Sequence, residues 1–179
     1  LRGDHVDATG GKLGLTPNMD RLAAQGKSYP DCYSVVSWTF PSVVAILSSK
    51  YPDKLGLLNA AELPKDLITL PQILSQHGYY TACLSANDYY ILPGNGFDRL
   101  FDEFQLLGGL GNKQLFLPFH TFFPCPNFLD EVAYQFGLFS IDVFERDWRE
   151  MNRRAQGVFK RAQDKPFFLY AHHIEPHSP

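Results

Sequence analysis

One punctuation pattern occurs twice in this chain and narrows the fold to a single class. Thr16-Pro17 opens a run that closes at Gly26, and Thr69-Leu70-Pro71 opens another that closes at Gly78. A threonine ahead of the first turn can cap a helix, and a glycine ends it. Proline is harmless in the first turn, where backbone N–H groups have no carbonyl partner. Short segments of strand character follow these helices. Ser28 to Ser34 carries Tyr29, Cys32 and Tyr33 and is broken by Pro30, and Tyr79 to Ala86 is rich in tyrosine, threonine and small residues. In the second run, Leu70, Ile73, Leu74 and His77 fall at helical spacing. A longer helix is expected over Asp142–Gln163. There Phe144, Trp148, Met151, Ala155, Val158, Phe159 and Ala162 recur at steps of three and four. Arg146, Arg149, Arg153, Arg154 and Lys160 form its other, solvated face. Phe167 to His173 then reads as a buried strand. Helices alternating with short strands give an α/β domain with a mostly parallel sheet, and such sheets place their sites at the carboxyl ends of strands.

The stretch Ser37-Trp38-Thr39-Phe40-Pro41-Ser42, followed by Val43 to Ser49, reads as a polar loop turning into a buried helix. Pro41 suits the first helical position and Phe40 the boundary before it. Thr39 then lies beside unpaired N–H groups, at the end of a helix that attracts anions. It is either an ordinary capping residue or a hydroxyl set beside an anion site. Thr39, Asn87 and His177 all follow expected strands, so all three can face one site. A polar residue such as Asn87 at a strand end also serves as a turn former. His172 and His173 alternate across their strand, so at most one of them faces that site with ease. Structural roles are expected for His5, His77 and His120.

With a formal net charge of −3, neither nucleic acid nor an anionic membrane is an electrostatic partner by default. Cys32, Cys83 and Cys125 are odd in number and widely spaced, which argues against a disulfide framework or a zinc site. Gln105 to Phe139 breaks the helix–strand pattern and is crowded with phenylalanine and proline. It reads as an irregular insertion over the core, or as a lid lining an apolar pocket. Its prolines and polar breaks argue against a transmembrane segment. The chain starts at Leu1 and stops directly after a motif-like segment. It therefore reads as a fragment cut at both ends, and its localisation is left open.

Several segments, in order, resemble the sulfatase family of the alkaline phosphatase-like superfamily. They are Leu1-Arg2-Gly3-Asp4-His5, Thr16-Pro17-Asn18-Met19-Asp20-Arg21-Leu22-Ala23, and Pro41-Ser42 with Tyr51-Pro52. Thr69-Leu70-Pro71 with Gly78-Tyr79-Tyr80-Thr81 follows, then Gly96-Phe97-Asp98. Last come Pro166-Phe167-Phe168-Leu169-Tyr170 and Glu175-Pro176-His177. The resemblance implies an α/β/α sandwich, with residues 1–179 as part of its catalytic domain. It also implies a divalent metal (Ca2+ first, with Mg2+, Mn2+ or Zn2+ as alternatives). The implied substrate is a small or lipid-like sulfate or phosphate ester.

The departures are informative. The family signature is Cys (or Ser)-x-Pro-Ser-Arg, whose first residue becomes formylglycine. This chain has Thr39-Phe40-Pro41-Ser42-Val43, and threonine cannot be converted to that aldehyde. Threonine is the nucleophile in other branches of the superfamily, notably phosphodiesterases and phospho-group transferases. By the resemblance, Thr39 takes the nucleophile position and binds the metal, while His177 binds the oxyanion or protonates the leaving oxygen. Asn87 lies where many family members carry a Lys-Trp-His segment and would contact the substrate oxyanion. The family's metal carboxylates fall outside this chain, and Asp4 and Asp20 do not match their motif. A catalytically inactive homologue, serving as a binding or structural module, is the competing expectation.

Overall fold

The computed structural model describes residues 3–58, 62–87, 90–107 and 148–174. The chain divides into two compact units, one up to Trp38 and the second from Thr39 to Ile174.

In the first unit, two short 3-10 turns, Gly3–His5 and Asp7–Thr9, precede helix α1, Pro17–Gln25. The Asp7 carboxylate accepts the Leu13 and Gly14 N–H groups at 3.0 and 2.9 Å. Asp20 accepts the Ala8 N–H at 2.9 Å and the Thr16 hydroxyl at 3.1 Å. Thr16 therefore spends its hydroxyl on Asp20 and not on capping α1, and no residue of α1 is buried. The strand expected over Ser28–Ser34 does not form: the segment is a turn and irregular chain. Tyr29 and Tyr33 lie exposed there. A strand needs a neighbouring ladder for its N–H and C=O groups, and no described residue offers one.

The second unit contains α2 (Thr39–Ser48), α3 (Leu70–Gln76), β1 (Tyr80–Ser85), β2 (Glu103–Leu106), α4 (Trp148–Ala162) and β3 (Phe167–His172). Its sheet has the order β2-β1-β3, and both pairings are parallel. In register, Ser85 pairs with Leu106 on one side and His172 on the other. Alternation along β1 sends its side chains to two cores. Cys83 joins Phe40, Val44 and Leu47 of α2, with Phe168 and Tyr170 packed against them. Ala82, Leu84 and Ala86 join Met151 and Val158 of α4 on the other face. Helices thus cover both faces of the sheet, as expected for a parallel sheet.

Boundaries follow local chemistry. Thr69 closes the start of α3: its N–H and hydroxyl both reach the Gln72 side-chain oxygen, at 3.0 and 2.8 Å. Gly78, at φ 85°, takes the left-handed turn after α3. The buried member of α3 is Pro71, whereas Leu70 and Ile73, placed on its apolar side by spacing, are exposed. Helix α2 begins at Thr39, two residues ahead of the start expected at Pro41. Proline before the fourth position forfeits no intrahelical bond. The α-region bias against the residue before proline is overridden at Phe40 by complete burial of its ring. Gln105 and Leu106 belong to β2 and not to the insertion expected from residue 105. From residue 108 onward that insertion lies outside the described residues, as do residues 142–147 of the expected long helix. Strand β3 is only partly buried, with Phe167 and Ala171 exposed and the residues between half-buried. At the α4–β2 junction, Arg161 donates to both Glu103 carboxylate oxygens at 2.8 and 2.5 Å, and Tyr80 donates to the same carboxylate. On α4 itself, Glu150 accepts from Arg153 and Arg154, so part of the basic face is neutralised by its own helix. Among the described residues, no helix is long and apolar enough to cross a membrane.

Candidate active site

Thr39 is the first residue of α2 and is half-buried. What holds it there is the next residue. Phe40 is completely buried and meets Phe97 edge-on, with ring centroids 5.8 Å apart. The same core contains Ile91, which follows β1, and Cys83 within it. This pins the amino end of a ten-residue helix to the core beneath the sheet's α2 face. The first backbone N–H groups of that helix have no intrahelical acceptor, and the helix dipole adds positive character. Val43 lies one turn beyond Thr39 on the same side of α2 and is 4% exposed, inside the apolar core. The position that carries arginine in the signature therefore supplies packing here, with no charge.

Asn87 stands just past the carboxyl end of β1 and is buried. Its Oδ1 accepts the Tyr90 N–H at 2.9 Å, and its own N–H donates to the Ser85 hydroxyl oxygen at 3.1 Å. Asn87 thus shapes the turn, and an oxyanion contact from it would have to come through its amide nitrogen. Thr39 and Asn87 lie in the same compact unit. Of these two, Asn87 follows a strand and Thr39 does not, because the segment before Thr39 forms none. His177 lies outside the described residues.

The neighbouring strand end carries a group that spacing alone could not assign. His172 is the last residue of β3. Its backbone carbonyl accepts the Ala86 N–H at 2.9 Å, one residue before Asn87. Its Nδ1 lies 2.9 Å from the Tyr170 hydroxyl, and desolvation lowers its pKa, with His173 adding to the effect. Burial pushes the Tyr170 phenol well above its usual range, so the phenol keeps its proton. Of the other histidines, His77 closes α3 through Nδ1 and the Ile73 carbonyl at 2.8 Å. His5 contacts Asp4 at 3.0 Å. His120 lies outside the described residues.

A divalent cation needs several oxygen or nitrogen ligands converging on one point. Among the described residues, no three His, Cys, Asp or Glu side chains do so. The described residues thus place no such cluster beside Thr39.

A parallel sheet layered between helices, with polar groups at its carboxyl edge and a hydroxyl at a helix start, defines an α/β protein. The chain belongs to the sulfatase family: the family model described as Sulfatase matches residues 1–179. An N-acetylglucosamine-6-O-sulfatase of Bacteroides thetaiotaomicron is 39% identical over 91 residues, covering 50% of this chain and 16% of that protein. Arylsulfatase A of Bos taurus is 28% identical over 183 residues, covering 88% of this chain and 36% of the relative. Among solved structures, BT4656 in complex with its substrate D-glucosamine-2-N,6-O-disulfate superposes with a TM-score of 0.67 at 23% identity. The match covers 98% of this chain and 32% of that one. This chain thus spans about a third or less of the length of these relatives.

Proposed function

We propose that this chain is the nucleophile-bearing part of a hydrolase of sulfate or phosphate esters, with Thr39 as the attacking group in the complete protein. The supporting observation is the anchoring of α2: Phe40 buries against Phe97, which holds Thr39 at the amino end of a helix. The Thr39 oxygen forms a bond to sulfur or phosphorus as its proton passes to His177, and the bond to the leaving alcohol oxygen breaks. His177 returns a proton to that oxygen, and Asn87 contributes an amide N–H to the oxyanion. Water then cleaves the threonyl ester. The α2 N-terminus stabilises negative charge on the equatorial oxygens. A divalent ion, Ca2+ before Mg2+, Mn2+ or Zn2+, is part of this proposal through family membership, and it would raise the nucleophilicity of a bound hydroxyl. The disulfated glucosamine bound by the structural neighbour makes sulfated amino sugars the first substrate class to try. Threonine in place of the formylglycine precursor, and Val43 in place of arginine, favour a second reading as a phosphodiesterase or phospho-group transferase.

The test uses the full-length protein with metal supplied. Thr39→Ala is expected to lower turnover at least a thousandfold, while Thr39→Ser keeps a measurable rate, because a hydroxyl remains. Mass spectrometry of trapped enzyme should find the sulfo or phospho group on Thr39. Full activity in Thr39→Ala would overturn the assignment. Rates on aryl sulfate, phosphate monoester and phosphodiester substrates then separate the two readings.

A further inference from the structure

We propose that His172 is a second anion-binding residue of this site, donating through Nε2 to an oxygen of the sulfate or phosphate group. The inference rests on the placement of the site at the α2 start and the carboxyl edge of the sheet.

Alternation along β3 decides which of two adjacent histidines can serve. Phe168 and Tyr170 pack into the core that contains α2, whereas Leu169 packs into the α4 core. His172 shares the parity of Tyr170, and His173 that of Leu169. The Tyr170 and His172 rings confirm this parity, with centroids 5.9 Å apart. His172 therefore belongs to the α2 face, at the strand end where sites of parallel sheets form.

The imidazole is also oriented. A phenol that keeps its proton can donate to Nδ1, and the 2.9 Å contact with Tyr170 suits that bond. With Nδ1 accepting, the ring proton resides on Nε2, so a neutral ring still presents an N–H donor. Neutrality suits this task at ordinary pH: the group binds an anion by a directed hydrogen bond without needing to be charged. The register pair Ser85–His172 and the Ala86–His172 backbone bond tie this residue to the turn that carries Asn87. The β3 end thus presents the His172 imidazole on the same sheet rim as Asn87.

The experiment separates this inference from the nucleophile assignment by reading binding in place of turnover. Full-length protein carrying Thr39→Ala is titrated with inorganic sulfate by calorimetry, and the histidine ring resonances are followed by NMR. The His172 ring signal should move and saturate with the calorimetric isotherm. Adding His172→Gln should weaken sulfate about tenfold, the usual scale for one hydrogen bond to a charged group. Tyr170→Phe preserves the packing and removes only the orienting hydroxyl. It should weaken sulfate by a smaller factor, about threefold, with an unchanged melting temperature. His173→Gln, on the opposite face, should leave the affinity as it was. A stationary His172 signal, equal affinity in the His172 and Tyr170 variants, equal losses at His172 and His173, or no sulfate binding at all would each overturn the proposal. If Thr39→Ala retains esterase turnover, the nucleophile assignment fails, and the sulfate titration still decides the role of His172.

Discussion

Asp102 joins three elements of the sheet's amino edge through one carboxylate. It accepts the Ser75 hydroxyl at 2.7 Å, the Thr81 N–H at 2.9 Å and the Thr81 hydroxyl at 3.0 Å. Its own N–H donates to the Thr81 oxygen at 3.0 Å. Burial alone would raise its pKa, but the Thr81 and Ser75 hydrogen bonds and the charge of Lys165 outweigh burial and lower it. The direction fixes the sign of the pH dependence. The folded state prefers the ionised carboxylate more than the unfolded chain does, so this stabilisation is complete above the unfolded pKa of about 4. It is lost as pH falls through the lower folded value. Asp102→Asn should cost about 1 kcal/mol at pH 7, a modest figure because the residue is solvent-accessible and its charge is screened. Urea unfolding should show that deficit at neutral pH shrinking below about pH 4. A deficit independent of pH would show that the charge contributes nothing. No motif in the sequence marks Asp102. Its partners lie 21 and 27 positions away, and they become neighbours only through the parallel pairing of β1 and β2.

At the level of elements, α2 and its first turn connect packing to the proposed chemistry. Phe40 is a large side chain with no exposed surface, and Phe40→Ala should destabilise the fold by about 3–5 kcal/mol through lost burial and a residual cavity. Chemical denaturation reads that loss, and Phe40→Leu should recover much of it. The same substitution frees the start of α2, so turnover in the full-length Phe40→Leu protein should fall even where the protein is fully folded. Unchanged turnover there would separate the Phe40 anchor from the function of Thr39. Much of this was legible in the residues. The Thr–Pro–Gly punctuation located α1 and α3, and the three-and-four spacing located α4 through Met151 and Val158. The run after Gly78 located β1. What could not be read depended on partners. Tyr29 and Tyr33 have strand propensity, but no described strand lies beside them, so propensity alone did not make a sheet. The rule for residues before proline placed the α2 boundary after Phe40, and a fully buried aromatic ring overrode it. Turn chemistry likewise claimed the Asn87 side-chain Oδ1, a contact that depends on where the Tyr90 N–H lies.

For the whole molecule, family membership and the local residues point in different directions, and the difference can be measured. The chain is a sulfatase-family chain from end to end, yet it spans 36% of arylsulfatase A. Its described residues bring no three metal-ligating side chains together. Five of the carboxylates among the described residues are already committed. Asp7 and Asp20 accept backbone N–H groups, Asp102 serves the sheet edge, and Glu103 and Glu150 accept from arginines. Glu150 is held down to a pKa of about 2 by the hydrogen bonds from Arg153 and Arg154, so its charge persists but is already neutralised. At those positions a cation would have to displace a partner, and elsewhere a hard cation bound by one or two exposed carboxylates keeps most of its water. The 179-residue chain titrated with Ca2+ should therefore show no saturable site tighter than about millimolar, the weak end of protein Ca2+ affinities. The full-length protein should bind the ion more tightly, with an affinity that Thr39→Ala reduces. A tight, Thr39-dependent site in the 179-residue chain would mean that this stretch carries a metal centre of its own. Equal, weak binding in both would instead favour the inactive-homologue alternative, in which a sulfatase fold survives without its chemistry.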